Sequence, residues 1–207
     1  MEYQVKFDQG MINRGNWKKI KECMKKAERG EDITTGFLGG SITQGSLSST
    51  PQTCYAYLVY EWWKKKFPES EITFVNAGIG GTTSQFGVSR VKEHLLSYQP
   101  DFVLIEFAVN DEGDETKGDC YESLVRKVLK LPWRPAVVLL FSVFANDWNL
   151  QERLRPVGER YDLPMVSIMD AVTPQFTKKK EEGKVLSKNQ FFYDMFHPDN
   201  IGHTIMA

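Results

Sequence analysis

The sequence has few cysteines, and their spacing excludes two of the roles that cysteines take in proteins. Cys23, Cys54 and Cys120 are an odd number of thiols at wide separations. This pattern fits neither a disulfide framework nor a zinc site, which needs closely paired ligands. We therefore expect buried free thiols.

Long apolar runs and an excess of one charge are also missing. No stretch approaches the ~18 consecutive apolar residues of a membrane span, and residues 1–10 lack the basic, apolar and small-residue regions of a signal peptide. The 26 Lys and Arg residues nearly balance the 27 Asp and Glu residues, for a formal net charge of -1. Such a chain has no global field that would attract nucleic acid or an anionic membrane. These absences predict a cytoplasmic protein without nucleic-acid or membrane partners.

The chain is rich enough in apolar residues to bury a core. Hydrophobic residues make up 41% of the 207 positions and aromatic residues 13%, and this length favours one domain over two. We therefore expect a single domain over residues 1–207. The last residues stop inside a predicted helix that begins near Asn200, so we expect the native polypeptide to extend further.

Short apolar runs alternate with helical patterns along the chain. Helical spacing predicts a first helix that is capped by Asn16 and ends at Gly30. Four later helices are predicted over residues 56–67, 84–98, 119–131 and 150–161. Five apolar runs predict buried strands over residues 33–38, 72–76, 102–107, 137–143 and 164–169. Buried strands that are each followed by a helix predict a parallel sheet covered on both faces, which is a three-layer α/β/α fold with five strands.

Three local signals refine this prediction. Asp119 and Glu122 have the spacing of a capping box at the start of the third later helix. Pro156 either interrupts the predicted helix over residues 150–161 or marks its first turn. The small polar residues 45–53 predict a loop, which either covers a site or only connects two elements at the surface.

Polar residues follow three of the predicted strands, at the edge where open parallel sheets bind ligands. The first strand leads into residues 39–43 (Gly-Gly-Ser-Ile-Thr), the second into the glycine-rich residues 76–82, and the third into Asn110. Small residues around Ser41 leave its amide and hydroxyl open to a substrate carbonyl, although the same segment could hold a phosphate. Asp111, Glu112 and Asp114 have no accompanying histidine or second acidic block, so we expect a solvated loop and no metal.

A second polar segment near the C-terminus places Asp194 three residues before His197. Within a single turn, the carboxylate could hold the imidazole in one tautomer while its other nitrogen faces a nucleophile. Alternatively, Asp194 and His197 form a hydrogen-bonded pair that has only a structural role. His94 and His203 fall in predicted helices, and we expect both to be structural.

The four segments together resemble the four sequence blocks of the SGNH, or GDSL-like, hydrolases. Ser41 stands in the first block, Gly81 in the second, Asn110 in the third, and Asp194 with His197 in the fourth. The resemblance spans about residues 33–203. It implies a flavodoxin-like SGNH hydrolase fold and a carboxylic ester hydrolase that needs no cofactor.

Two positions depart from the family pattern. Gly40 stands where the first block usually has Asp, and Ala108 stands where the third usually has Gly. The Gly-Gly-Ser-Ile-Thr form is similar to that of bacterial esterases that remove acetyl groups from plant polysaccharides.

The resemblance also implies a role for each matched residue. Ser41 would attack an ester carbonyl after His197 takes its proton, and Asp194 would orient the imidazole. The amides of Ser41 and Gly81 and the side chain of Asn110 would hold the oxyanion.

The expected substrate is a short-chain ester, an acetyl ester on a small molecule or an oligosaccharide. Gly40, Gly80 and Trp148 are the candidate substrate contacts. Trp148, Tyr55 and Phe86 could stack on a sugar, although such residues more often belong to the core. The sequence predicts no oligomeric state.

Three other functions remain open at this stage. A lysophospholipase or thioesterase would use the same residues on longer acyl chains. A carbohydrate-binding domain would keep the fold without the chemistry. A flavodoxin-like nucleotide-binding domain would carry the motifs by coincidence.

Overall fold

A six-stranded sheet lies at the centre of the described chain, which comprises Val5 and residues 7–207 of a computed structural model. The strands are β1 (Met11–Asn13), β2 (Ile33–Gly39), β3 (Ile72–Gly78), β4 (Phe102–Glu106), β5 (Ala136–Phe141) and β6 (Met165–Ser167). Their order in the sheet is β1-β6-β5-β4-β2-β3. Strands β2 to β6 are parallel to one another, and β1 is antiparallel to β6.

The five predicted strands are all present, so the α/β prediction is confirmed, but the count of five was one too low. The additional strand, β1, lies at an edge of the sheet and pairs over only three residues, Met11–Asn13. Three half-buried residues are too few to show an alternating pattern in the sequence. The side chain of Asn13 also donates to the carbonyl of Leu163 at 2.8 Å, which ties the strand to the segment before β6.

Ten α-helices occur in the part of the chain that the structure describes. They are α1 (Phe7–Gly10), α2 (Lys18–Glu28), α3 (Ser41–Gln44), α4 (Tyr55–Lys66), α5 (Ser84–His94), α6 (Asp119–Leu129), α7 (Gln151–Arg160), α8 (Ile168–Thr177), α9 (Lys188–Phe191) and α10 (Asn200–Met206). Short 3-10 turns lie between these helices, at Pro51–Thr53, Leu96–Tyr98 and Lys180–Glu182. The predicted loop at residues 45–53 therefore contains one ordered turn.

The helices cover both faces of the sheet, as the buried strands require. Residues of α2, α4, α8 and α10 form one apolar cluster, and residues of α5, α6 and α7 form the other. Successive side chains of a strand point to opposite faces. In β4, Phe102 and Leu104 enter the first cluster, whereas Val103 and Ile105 enter the second. The three-layer architecture follows from this alternation.

The helix boundaries agree with the sequence at several ends and differ at one start. The side chain of Asn16 accepts the amide of Lys18 at 2.9 Å, and Gly30 adopts a φ of 74° after α2. The predicted capping box of α6 is wrong. Asp119 is already the first residue of α6, and Gly118 before it has no side chain that could cap the helix.

Pro156 lies inside α7, which begins at Gln151. The reading in which Pro156 marks the first turn is therefore wrong. Of the thiols, Cys23 and Cys54 are buried and unpaired as expected, whereas Cys120 is only half-buried. No helix of the described residues is long and apolar enough to cross a bilayer. Residues 1–4 and 6, part of the segment inspected for a signal peptide, lie outside the described residues.

Candidate active site

Ser41 begins the four-residue helix α3 directly after the end of β2. The backbone reaches it through Gly39 and Gly40, where no side chain would fit. A Cβ at Gly39 would lie 2.1 Å from the Thr43 hydroxyl, and one at Gly40 would lie 2.5 Å from the Asn110 side chain. The two glycines therefore allow Ser41 to stand at the sheet edge in direct proximity to Asn110.

His197 bridges Ser41 and Asp194. Its Nε2 lies 3.0 Å from Ser41 Oγ, and its Nδ1 lies 3.1 Å from each carboxylate oxygen of Asp194. Ser41 and His197 are 156 positions apart in the chain, yet the structure brings them together as the sequence predicts. This is the arrangement of an activated hydroxyl nucleophile, its base and the group that orients the base.

A tight loop carries both Asp194 and His197. An isolated bridge joins Phe192 to Pro198 at its base, and the Tyr193 amide donates to the His197 carbonyl at 2.9 Å. Asp194 Oδ1 accepts the amides of Phe196 at 2.8 Å and His197 at 2.7 Å. Partial burial tends to raise the pKa of Asp194, but these amides and the imidazole outweigh it and hold the pKa below its usual value. The carboxylate is therefore ionised at neutral pH and fixed in place.

Three N–H groups of the matched motif residues are without a hydrogen-bond acceptor among the described residues. Among the hydrogen bonds of the described residues, none takes the backbone N–H of Ser41, the backbone N–H of Gly81 or the side-chain N–H of Asn110. Gly81 has a φ of 70°, and its Cα faces open space. The neighbouring amide of Gly80 is already used, because it donates to Gln44 Oε1 at 2.6 Å. The three donors expected for an oxyanion hole are thus not engaged elsewhere, and that role stays a prediction.

Comparisons with known proteins agree with this geometry. The model of the GDSL-like Lipase/Acylhydrolase family matches residues 37–205. The chain belongs to this family. Family membership confirms the resemblance found in the four motifs and argues against a nucleotide-binding domain with coincidental motifs.

Relatives include proteins named for ester and thioester hydrolysis. An acetylxylan esterase of Geobacillus stearothermophilus is 26% identical over 196 residues, which cover 83% of this chain and 89% of that protein. The thioesterase 1/protease 1/lysophospholipase L1 of Escherichia coli strain K12 is 32% identical over 93 residues, covering 45% of this chain and 42% of that protein.

One solved structure matches almost the whole chain. It is a two-domain esterase, CEX, which is active on acetylated mannans and was co-crystallized with mannopentaose. The two share 46% identity with a TM-score of 0.93, and the match covers 99% of this chain and 54% of that one. The chain therefore spans about half the length of that esterase. These relatives agree with the prediction of a carboxylic ester hydrolase related to carbohydrate acetyl esterases.

In this member of the GDSL-like family, two amide side chains fix the glycine-rich turn after β3. Gln44 of α3 holds the Gly80 amide, as described above. Asn76 donates to the Thr43 carbonyl at 2.8 Å and accepts the Gly78 amide at 2.9 Å. The turn that carries Gly81 is therefore attached at two points to the helix that carries Ser41.

A buried polar network lies beneath α3, and the sequence analysis did not identify it. Glu106 is fully buried at the end of β4 and accepts a short hydrogen bond from the Ser142 hydroxyl. Burial raises the pKa of Glu106 to about 7, although its hydrogen bonds with Ser142 and Thr43 act in the other direction. Thr43 is also hydrogen-bonded to the Tyr55 hydroxyl at 2.8 Å. The one sequence signal was a glutamate within an otherwise apolar strand.

His203 has the structural role that we expected. It is fully buried in α10, its ring stacks on Tyr55, and its Nδ1 accepts the Tyr55 amide at 3.2 Å. Burial lowers the pKa of His203 to about 4, so the ring is neutral at physiological pH. His94, in contrast, is exposed on α5.

Arg90 is a second buried group that the sequence analysis missed. Its guanidinium donates to the carbonyls of Ala77 at 2.5 Å and Gly39 at 3.1 Å, which lie at the ends of β3 and β2. Desolvation lowers the pKa of Arg90. Among the described residues, Arg90 has no carboxylate in ion-pair contact. The side chain therefore joins the two strand ends that lead to Ser41 and to Gly81.

The predicted solvated acidic loop is wrong for two of its three carboxylates. Asp111 is buried and accepts the Ser84 amide at 2.8 Å, at the start of α5. Asp114 is buried and accepts the amides of Thr116 and Gly118 before α6. Only Glu112 is exposed. The two aspartates satisfy amides at helix starts, and no cluster of metal-ligating side chains occurs among the residues that the structure describes.

The three aromatic candidates for sugar stacking have different surroundings. Tyr55 is fully buried, so its proposed role as a platform is wrong. Phe86 is exposed on α5. Trp148 is half-buried and stacks on Phe144, which in turn meets Phe196 edge to face at 5.1 Å. Trp148 thus belongs to an aromatic group that reaches the residue before His197.

Proposed function

We propose that this chain is a serine esterase that removes acetyl groups from acetylated carbohydrates through an acyl-enzyme. The observation that carries the proposal is the continuous contact from Ser41 through His197 to Asp194, beside three free N–H donors. A protein that only bound carbohydrate would not need this combination.

In the first half of the reaction, Ser41 Oγ attacks the acetyl carbonyl carbon as its proton passes to His197 Nε2. The new C–O bond places negative charge on the carbonyl oxygen. The N–H groups of Ser41, Gly81 and Asn110 receive that charge, and each such donor can contribute roughly 3 to 4 kcal/mol to the transition state. Asp194 stabilises the imidazolium without taking its proton.

The tetrahedral intermediate then collapses to products. The carbonyl re-forms as the bond to the sugar oxygen breaks, and His197 returns the proton to that oxygen. Water attacks the acetyl-serine with the same base, which releases acetate and restores Ser41.

The choice of an acetylated carbohydrate is supported by the relatives and by the aromatic group near His197. The two relatives named for carbohydrate substrates act on acetylated xylan and acetylated mannans. Trp148, beside Phe144 and Phe196, offers a flat apolar face on which a sugar ring can stack. Gly40 and Gly80 lie against Asn110 and Ser41, where the scissile ester would sit.

Hydrolysis of p-nitrophenyl acetate, butyrate and octanoate tests the reaction, together with acetate release from acetylated xylo- and manno-oligosaccharides. The wild type should prefer acetate and release acetate from at least one oligosaccharide. Ser41→Ala should lose both activities at matched folded concentration. Ser97→Ala, which alters an exposed serine remote from the site, is the control and should keep them.

The other outcomes distinguish the remaining functions. The partial match to the Escherichia coli enzyme favours a thioesterase or lysophospholipase as the second candidate, and a preference for octanoate would support it. Folded wild type that turns over none of the esters but binds oligosaccharide would support the carbohydrate-binding function.

A further inference from the structure

A cleft lies next to the loop that carries Asp194 and His197, and its volume is about 580 Å³. Its lining includes Leu47, Ser48, Ser49, Tyr193, Asp199 and Asn200. Tyr193 directly precedes Asp194, and Leu47 belongs to the loop that follows the helix of Ser41. The cleft is therefore lined by residues that flank those of the candidate active site in the chain. Its volume lies within the range of small-molecule sites, about 300–1,000 Å³.

Two large side chains in this cleft are presented to solvent. Tyr193 is 68% exposed and Leu47 is 42% exposed. Leu47 also adopts a φ of 63°, a left-handed conformation that disfavours residues with a side chain. Strain of this kind concentrates at sites that bind or react. The fold does not need either side chain for its core.

The walls of the cleft are held in one relative position. The Ser49 amide donates to Asn200 Oδ1 at 2.9 Å, and Asn200 Nδ2 donates to Ser49 Oγ at 2.7 Å. These two bonds join the Leu47 loop to the start of α10. The backbone bond from Tyr193 to His197 fixes the third wall relative to the triad. A ligand would meet a preorganised surface, which lowers the entropic cost of binding.

The chemistry of the lining selects a neutral polar ligand with one apolar face. Asp199 is the one charged side chain among the described residues that line the cleft, so an anionic ligand would be repelled. The Tyr193 hydroxyl and the second hydrogen of the Asn200 amide can bond to ligand hydroxyls, while the tyrosine ring and the leucine present apolar surface. A pyranose ring has this combination, with C–H groups on one face and hydroxyls at its edge.

We propose that this cleft is a sugar subsite, which binds a ring adjacent to the acetylated ring and uses Tyr193 as the stacking platform. The proposal rests on the proposed function. It identifies Tyr193 and Leu47 as determinants of the preference for oligosaccharides over small acetyl esters.

Steady-state kinetics on three acetyl esters tests the subsite. The esters are an acetylated oligosaccharide, the corresponding acetylated monosaccharide and p-nitrophenyl acetate. In the wild type, kcat/KM should be higher for the oligosaccharide than for the monosaccharide. Tyr193→Ala should reduce this preference roughly three- to tenfold, mainly through KM, which is the change that one stacking contact supports. Tyr193→Phe, which keeps the ring, should retain most of the preference.

Two further variants separate binding from folding. Leu47→Gly removes the apolar contact and relieves the positive φ, so the preference should fall while the melting temperature stays the same or rises. Tyr98→Ala alters an exposed tyrosine outside this cleft and should change neither quantity. A structural role for Leu47 would lower the melting temperature instead.

The failure of this proposal differs from the failure of the proposed function. If the wild type hydrolyses acetylated oligosaccharides but Tyr193→Ala keeps the full preference, the subsite is refuted and the esterase function stands. If the wild type hydrolyses p-nitrophenyl acetate but no acetylated sugar, the carbohydrate function is refuted, and the subsite with it.

Discussion

Gly40 and Asn110 are in direct contact at the edge of the sheet. A Cβ added at Gly40 would lie 2.5 Å from Asn110 Oδ1 and 2.6 Å from Asn110 Nδ2. Both distances are far shorter than van der Waals contact, so any side chain at position 40 must displace the Asn110 carboxamide. The glycine that replaces the usual acid of the family is thereby linked to the placement of Asn110, the proposed oxyanion donor.

We expect Gly40→Ala to lower kcat for p-nitrophenyl acetate about tenfold or more, because the displaced amide no longer reaches the developing oxyanion. Asn110→Ala alone should lower kcat about 10² to 10³-fold, the usual effect of removing one donor. In the Asn110→Ala background, Gly40→Ala should cost little more, and the double-mutant cycle measures this coupling. Independent, multiplying losses would contradict the contact as the cause. Gly113→Ala, where an added Cβ meets open space, is the matched control.

Gln44→Ala should also lower kcat, although Gln44 is a positioning residue. Its Oε1 accepts the Gly80 amide at 2.6 Å, and its removal frees the turn that presents the Gly81 amide. We expect a loss of about tenfold in kcat with a small change in KM, since the defect affects the transition state more than binding. Gln9→Ala, on an exposed position of α1, serves as the control. A large rise in KM at constant kcat would show that Gln44 acts on substrate binding instead.

Glu106 should make the free energy of unfolding depend on pH. The folded protein holds the Glu106 proton more tightly than the unfolded chain does, because burial raises the pKa from 4.5 to about 7. The contribution of this group to stability therefore falls as pH rises from about 4.5 to about 7 and is constant above that range. The total change is about 3 kcal/mol. His203 acts in the opposite direction, since its pKa is lowered to about 4 and its contribution rises between about pH 4 and 6.5.

Urea unfolding of the wild type and of Glu106→Gln at pH 5 and pH 8 isolates the contribution of Glu106 to the free energy of unfolding. The His203 contribution is common to both proteins and cancels in the difference. The variant should gain stability relative to the wild type between pH 5 and pH 8. The same difference at both pH values would mean that Glu106 does not titrate in this range.

The sequence was sufficient for those parts of the molecule that follow from local pattern. Apolar runs predicted the five parallel strands, because strands buried on both faces need nearly continuous apolar sequence. Ser41 and Asn110 were predicted to converge because their motifs follow strand ends, and Asp194 and His197 because they lie within one short turn. That the two pairs meet was implied by the family resemblance. The family match over residues 37–205 confirms the membership of the GDSL-like hydrolases that these motifs suggested.

The features that the sequence did not predict depend on contacts between distant segments of the chain. Glu106 and Arg90 are buried polar groups whose partners, Ser142 and two strand-end carbonyls, lie far away in the chain. Asp111 was predicted to be solvated because acidic residues usually are, whereas here it meets a helix start 27 positions earlier. Tyr55 was a candidate platform until the packing of α4 placed it under α3. None of these contacts leaves a periodic signal in the sequence.

The separation of 156 positions between Ser41 and His197 also bears on how the protein acquires activity. Neither half of the site can be completed by local structure, because β3, β4, β5 and β6 lie between the two residues in the chain. Catalytic competence is therefore a property of the finished fold. Recovery of ester hydrolysis during refolding would report the contact between Ser41 and His197, whereas far-ultraviolet dichroism would report the helices.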